Sequence, residues 1–89
     1  MGHRASAAFW QRFHSLPVDV QATARKQFAL LKVNPSYPSL QFKRLGGYGS
    51  RELWCARVTL NYRALAVRRT DGYLWFWIGD HKEYDQLVG

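Results

Sequence analysis

The sequence predicts an α+β fold: a helical hairpin packed on an antiparallel sheet of three to four strands and closed by a short C-terminal helix. Apolar residues recur at helical spacing as far as Val33, and from Leu40 onward the period changes to two. After the last strand-like run, Asp80 and Glu83 stand three apart as a helix-capping pair. No repeat, linker or low-complexity tract interrupts this order, so residues 1–89 read as one domain.

The first helix is expected over residues 5–14, where Ala5, Ala8, Phe9 and Phe13 share a face and Pro17 ends the run. Pro17 then suits the first turn of a second helix over residues 17–33, with Asp19 at the positive end of its dipole. Its apolar stripe is Val20, Ala24, Phe28 and Leu31, and Asn34-Pro35 stops it. Two helices joined so tightly are expected to form an antiparallel hairpin. Leu40 to Leu45 reads as a strand and residues 46–50, Gly-Gly-Tyr-Gly-Ser, as a loop. Strands over 53–60 and 62–69 flank a tight connection at Leu60-Asn61, and Thr70-Asp71-Gly72 turns the chain into a strand over 73–79. A helix over 80–88 follows. Within the second strand the pleat puts Cys55, Arg57 and Thr59 on one face and Trp54, Ala56 and Val58 on the other. Trp75 and Trp77 alternate with Phe76, which predicts a Trp-rich core face on the last strand.

Charge bounds the partners. Thirteen Lys and Arg against six Asp and Glu give a net charge of +7, and residues 1–51 hold eight of the cations with a single acid, Asp19. Such a chain is drawn to polyanions, RNA above all. A lone Cys55 forms no internal disulfide and no apolar run reaches the roughly 20 residues of a membrane span, so a cytoplasmic setting without membrane attachment is the expectation. His3, His14 and His81 show no metal-ligand spacing, and no cofactor is expected.

Cleaving RNA without a metal needs a base for the ribose 2'-hydroxyl, cations for the phosphorane and an acid for the leaving 5'-oxygen. Histidine is the side-chain type whose unperturbed pKa lies near neutrality, which makes His81 the candidate for proton transfer. Arg57 and Arg63 carry planar donor forks suited to phosphate, although each also reads as an edge-protecting charge or as an ion-pair partner of Glu52, Asp80 or Asp85. Tyr84 can donate a proton, stack on a base or seal the sheet edge. Lys43, Arg44 and Arg51 are the candidate RNA anchors.

Several of these blocks together resemble the RelE/ParE toxin superfamily: the hairpin ending in Asn34-Pro35, the run Leu40 to Leu45, Trp54-Cys55-Ala56-Arg57-Val58 followed by Tyr62-Arg63-Ala64-Leu65, and Ile78-Gly79-Asp80-His81 through Tyr84. The Arg-x5-Tyr-Arg spacing of Arg57 with Tyr62-Arg63 is the most specific part. The resemblance implies two helices against a curved antiparallel sheet and the toxin half of a bacterial type II toxin–antitoxin pair, with a cognate antitoxin as partner. In the RelE-like branch the target is mRNA on the ribosome; in the ParE-like branch it is DNA gyrase, inhibited by binding alone. Arg57 and Arg63 resemble the family's phosphate-stabilising cations, His81 its basic residue after the last strand and Tyr84 its C-terminal tyrosine. The leading strand that many members place at the sheet edge has no counterpart in this reading.

Overall fold

The computed structural model describes residues 2–48 and 51–88. In chain order they form β1 (Gly2–Ala5), α1 (Ala7–His14), α2 (Val18–Val33), a 3-10 turn (Pro38–Leu40), β2 (Lys43–Tyr48), β3 (Arg51–Thr59), β4 (Tyr62–Arg69), β5 (Gly72–Asp80) and α3 (His81–Val88). The strands make one five-stranded sheet in the order β1-β5-β4-β3-β2. The α+β class, the hairpin, the meander and the closing helix are as the sequence implies. The sheet is larger by one strand, and it is mixed rather than purely antiparallel.

That extra strand is β1, which runs parallel to β5 and occupies the edge where none is expected. Four residues are too few to show a period, so only packing reveals it. Gly72 makes room: it sits at φ 147°, and a β-carbon there would collide with the backbone of Gly2. His3 anchors the strand, accepting a 3.1 Å hydrogen bond at Nδ1 from the Trp75 indole. Its ring stacks on Tyr73 at 5.5 Å.

Ser6 closes the N-terminus of α1, its hydroxyl oxygen accepting from the Phe9 amide at 3.1 Å, a cap worth about 1 kcal/mol. With residues 2–5 in a strand, α1 starts at Ala7 rather than Ala5. α2 starts at Val18, with Pro17 at its N-cap rather than in its first turn, and ends at Val33 as predicted, where the Asn34 side chain folds onto the Ser36 amide. Beyond it, Gln41 adopts a left-handed backbone at φ 42°, so the strand expected from Leu40 begins only at Lys43. Glycines 46 and 47 and Tyr48 belong to β2 rather than to a loop, with a bulge between Arg44 and Gly46. Gly49 and Ser50 lie outside the described residues.

The hairpin is splayed. α1 rests mainly on β5 and α2 on β3. The principal core fills the space beneath them, with Phe13, Leu31, Ala66, Trp75 and Ile78 among its buried members. A second, smaller core of Cys55, Leu65 and Trp77 lies on the opposite face, covered by Tyr84 and Val88 of α3.

One expectation fails here. Leu65 pairs with Trp77 and Ala66 with Trp75, which leaves Phe76 as an extra residue in β5. This β-bulge interrupts the alternation. Trp75 therefore joins the core under the helices, whereas Trp77 joins the second core with Phe76 packed against it. A single Trp-rich face does not exist.

Candidate functional site

Directly opposed residues of antiparallel strands share a face. Lys43, Cys55, Leu65 and Trp77 stand opposite one another across β2 to β5, and Cys55, Leu65 and Trp77 form the core on the face turned away from α1 and α2. The next row on this face is Arg57, Arg63 and Gly79. Two arginines thus face each other directly, an arrangement that costs stability. Among the described residues the ion pairs are Arg12–Glu83 at 2.8 Å and Arg44–Glu52 at 3.8 Å, with His81–Asp85 at 3.6 Å a further one only when the imidazole is protonated. None of them involves Arg57, Arg63 or Lys43.

The β3–β4 turn organises the row. Arg63 Nη1 donates to the carbonyls of Thr59 at 2.7 Å, Tyr62 at 3.0 Å and Leu60 at 3.2 Å, which pins its guanidinium over the turn. The carbonyl of Asn61 in the same turn accepts from the His81 amide at 2.7 Å. One two-residue turn therefore holds both Arg63 and the start of α3. On the other side of the pair, Val58 is an extra residue between Arg57 and Thr59. Gln27 of α2 donates to the Arg57 carbonyl at 3.1 Å and fixes the strand at that bulge.

α3 begins with the Asp80 carboxylate accepting from the Glu83 amide at 2.9 Å, the expected cap. The Glu83 carboxylate is engaged by Arg12. Arg12 also donates from Nε to the Ile78 carbonyl at 2.9 Å and lies 5.0 Å over the Trp77 ring. Gly79 permits that stack, since a β-carbon there would stand 2.6 Å from the Trp77 ring. The helix then lays Tyr84 onto the second core, its ring stacked with His81 at 6.0 Å and 15°.

The Tyr84 hydroxyl faces the Cys55 thiol. Burial, reinforced by the thiol, pushes the phenol well above the ordinary tyrosine value, while Arg63 pulls the other way. Burial likewise raises the Cys55 thiol, against the lowering influence of Tyr84, Arg63 and Lys43. These mutual effects put Tyr84, Cys55, Arg63 and Lys43 in one neighbourhood. At neutral pH Tyr84 is a protonated hydroxyl that can donate, and Cys55 is a thiol rather than a nucleophilic thiolate.

The structure therefore brings Arg57, Arg63, Tyr84, His81 and Lys43 to one face, with Lys43 and His81 exposed and the other three half-buried. Arg44 does not join them. It stands opposite Trp54, on the other face from Lys43, and reaches Glu52. The side chain of Arg51 lies outside the described residues. Sequence reasoning misses Gln27, Asn61 and Arg12, which position the site through backbone carbonyls and packing. The one textual signal among them is Arg12, a cation between Trp10 and Phe13 in an apolar helical run.

A small mixed sheet with α1 and α2 on one face, and a cationic row beside α3 on the other, defines a compact α+β protein with a basic surface. The family model of the ParE-like toxin domain matches residues 18–86, and the chain belongs to the RelE/ParE toxin superfamily. No curated protein matches the sequence. Among solved structures, the archaeal RelE-RelB complex from Pyrococcus horikoshii OT3 aligns at a TM-score of 0.68 and 16% identity, over 88% of this chain and 91% of that one. The RelB-RelE antitoxin-toxin complex from Methanococcus jannaschii aligns at a TM-score of 0.71 and 14% identity, over 97% and 99%. At these identities the likeness shows a shared fold. No helix among the described residues is long and apolar enough to cross a membrane.

Proposed function

We propose that this chain is the toxin of a type II toxin–antitoxin pair and cuts mRNA on the ribosome by attack of a ribose 2'-hydroxyl on the adjacent phosphate, in the cytoplasm and without a metal. The observation that carries this reading is the facing pair Arg57–Arg63, uncompensated by an acid among the described residues and set beside Tyr84 and His81. An unpaired guanidinium pair is costly in an empty protein and useful when a dianionic phosphorane sits between the heads. His81 takes the 2'-hydroxyl proton. The 2'-oxygen bonds to phosphorus, the bond to the 5'-oxygen breaks, and the leaving oxygen collects a proton from the Tyr84 hydroxyl. The products are a 2',3'-cyclic phosphate and a 5'-hydroxyl end. Lys43 extends the cationic row toward a flanking phosphate, and Arg51 serves as an outer RNA contact.

The partner under this reading is an antitoxin, as the complexes of the similar structures suggest, with acidic and apolar residues to meet the basic surface. Induction in cells followed by mapping of mRNA 5' ends tests the proposal: cuts within translated frames are expected, and intact transcripts during growth arrest would overturn it. The match to a ParE-like model favours one second reading, inhibition of DNA gyrase by binding. It predicts loss of supercoiling with transcripts intact.

A further inference from the structure

Between α1 and α2, on the face of the sheet opposite the cationic row, lies an apolar cleft of about 190 Å³. The splay of the hairpin makes its walls, with Phe9 and Phe13 on one side and Phe28 and Leu31 on the other. Its floor is deep because Ala56 and Ala64, direct cross-strand partners, put only methyl groups beneath the gap. An apolar cavity of about 150 Å³ already accepts benzene, so this one has room for a single six-membered ring. The mouth is charged. Arg25 lines it, and its guanidinium lies 4.9 Å over the Phe13 ring. His3 lines it too, and because Nδ1 accepts from Trp75 the neutral ring carries its proton on Nε2, a further donor. Lys32 stands 4.9 Å over Phe28, and the sole acid of the two helices is Asp19, near the start of α2.

We infer that this cleft is a binding site for a small aromatic carboxylate, the ring seated on Ala56 and Ala64 and the carboxylate held by Arg25 and the Nε2–H of His3. An apolar pocket with a few convergent polar groups is the usual build of a small-molecule site. The sign of every charge at its mouth selects an anion over a neutral ring. The inference is independent of the nuclease reading, whose residues lie on the other side of the sheet.

The probes are 3-phenylpropionate and its uncharged counterpart 3-phenylpropanol, titrated into the full chain and followed by backbone amide NMR. The acid is expected to bind saturably with Kd on the order of 1 mM or tighter, with the largest shifts at Ala56, Ala64 and Phe28. The alcohol and the Arg25→Gln variant should each bind about five-fold more weakly, the worth of one half-solvated charge contact. Ala64→Leu, which fills the floor, should abolish binding. Since that variant risks the fold, Arg25→Gln on an exposed position decides the charge requirement alone. Absence of saturation, equal affinity for acid and alcohol, or shifts centred on Arg57 instead of the cleft would each overturn the assignment. So would an acidic phenylalanine-containing peptide that occupies the cleft when phenylpropionate does not, which would make it a protein-docking surface.

Discussion

Replacing Arg57 by Gln is expected to stabilise the fold while disabling the site. Arg57 and Arg63 are direct cross-strand partners, both half-buried, and no ion pair among the described residues offsets either. Two like charges about 6 Å apart, at an effective dielectric constant of about 40–80, repel by about 0.7–1.4 kcal/mol. A Debye length of about 8 Å at physiological salt roughly halves this, leaving about 0.3–0.7 kcal/mol, within the range measured for opposed residues on sheets. Gln keeps part of the aliphatic stem that packs on the sheet. For a chain of this size the gain corresponds to a rise in Tm of about 1–5 °C. Thermal unfolding of both proteins in 0.02, 0.15 and 1 M NaCl should show the difference shrink as salt rises. The same variant should fail to arrest growth when induced. A lower Tm for Arg57→Gln, or a gain that persists unchanged in 1 M NaCl, would show that the pair is not under electrostatic strain and remove the main support for a phosphate site.

Arg63 answers differently although it faces the same partner: Arg63→Ala strips three carbonyls of the β3–β4 turn of their donor and should cost about 1–3 kcal/mol in denaturant unfolding while abolishing toxicity; unchanged stability would mean the turn does not hold it. His3 is held below its ordinary 6.5 by burial, then by the N-terminal amine and Lys32, and its contact with Trp75 needs the neutral ring. The unfolded chain therefore takes up the proton first, so stability present above pH 6.5 is lost as pH falls from there toward the folded-state value. Unfolding midpoints at pH 7.5 and 5.0 should show this loss, and His3→Phe should reduce the slope. Gly72→Ala should undock β1 and lower stability by more than about 1 kcal/mol, with amide exchange accelerated in residues 2–5 before the rest of the sheet. Tyr84→Phe keeps the stack on His81 but removes the hydroxyl; cleavage should fall at least ten-fold without loss of fold, and full activity would exclude Tyr84 as the acid.

Most of the fold is legible in the sequence because its long elements are strongly periodic. α2 keeps its predicted end and starts one residue later, and the meander is marked by Leu60-Asn61 and by Asp71-Gly72. What the sequence hides is of three kinds. β1 has four residues and no period, and its sole trace is a glycine at 72 whose need becomes visible only when Gly2 lies against it. Gln41 ends the strand reading of Leu40 to Leu45 by a left-handed turn that nothing in its side chain announces. The bulges at Val58 and Phe76 shift register by one residue, and a reading based on alternation has no means to detect an added residue. The site was half legible for the same reason: Arg57, Arg63 and Tyr84 follow from pleat and helix spacing, whereas the clamps on the turn act through main-chain carbonyls and leave no pattern.

The Phe76 bulge also explains why the two faces of the sheet have such different chemistry. Strict alternation through β5 would send Trp77 to the side of Trp75 and turn Ile78 outward. With one residue added, Ile78 stays in the core beneath α1, and Trp77 crosses to the second core, where it lies over Gly79 and receives Arg12. That crossing gives Arg12 its aromatic seat beside Glu83, so α1 is tied to α3 around the end of β5 rather than only through the core. Since α3 also takes its first amide bond from the β3–β4 turn that Arg63 caps, the positions of His81 and Tyr84 depend on a chain of contacts running from α1 through the bulge to the turn. A site assembled this way needs no side chain buried for its own sake: the arginines remain half-exposed, and the main chain around them supplies the rigidity that the phosphate contact proposed for them requires.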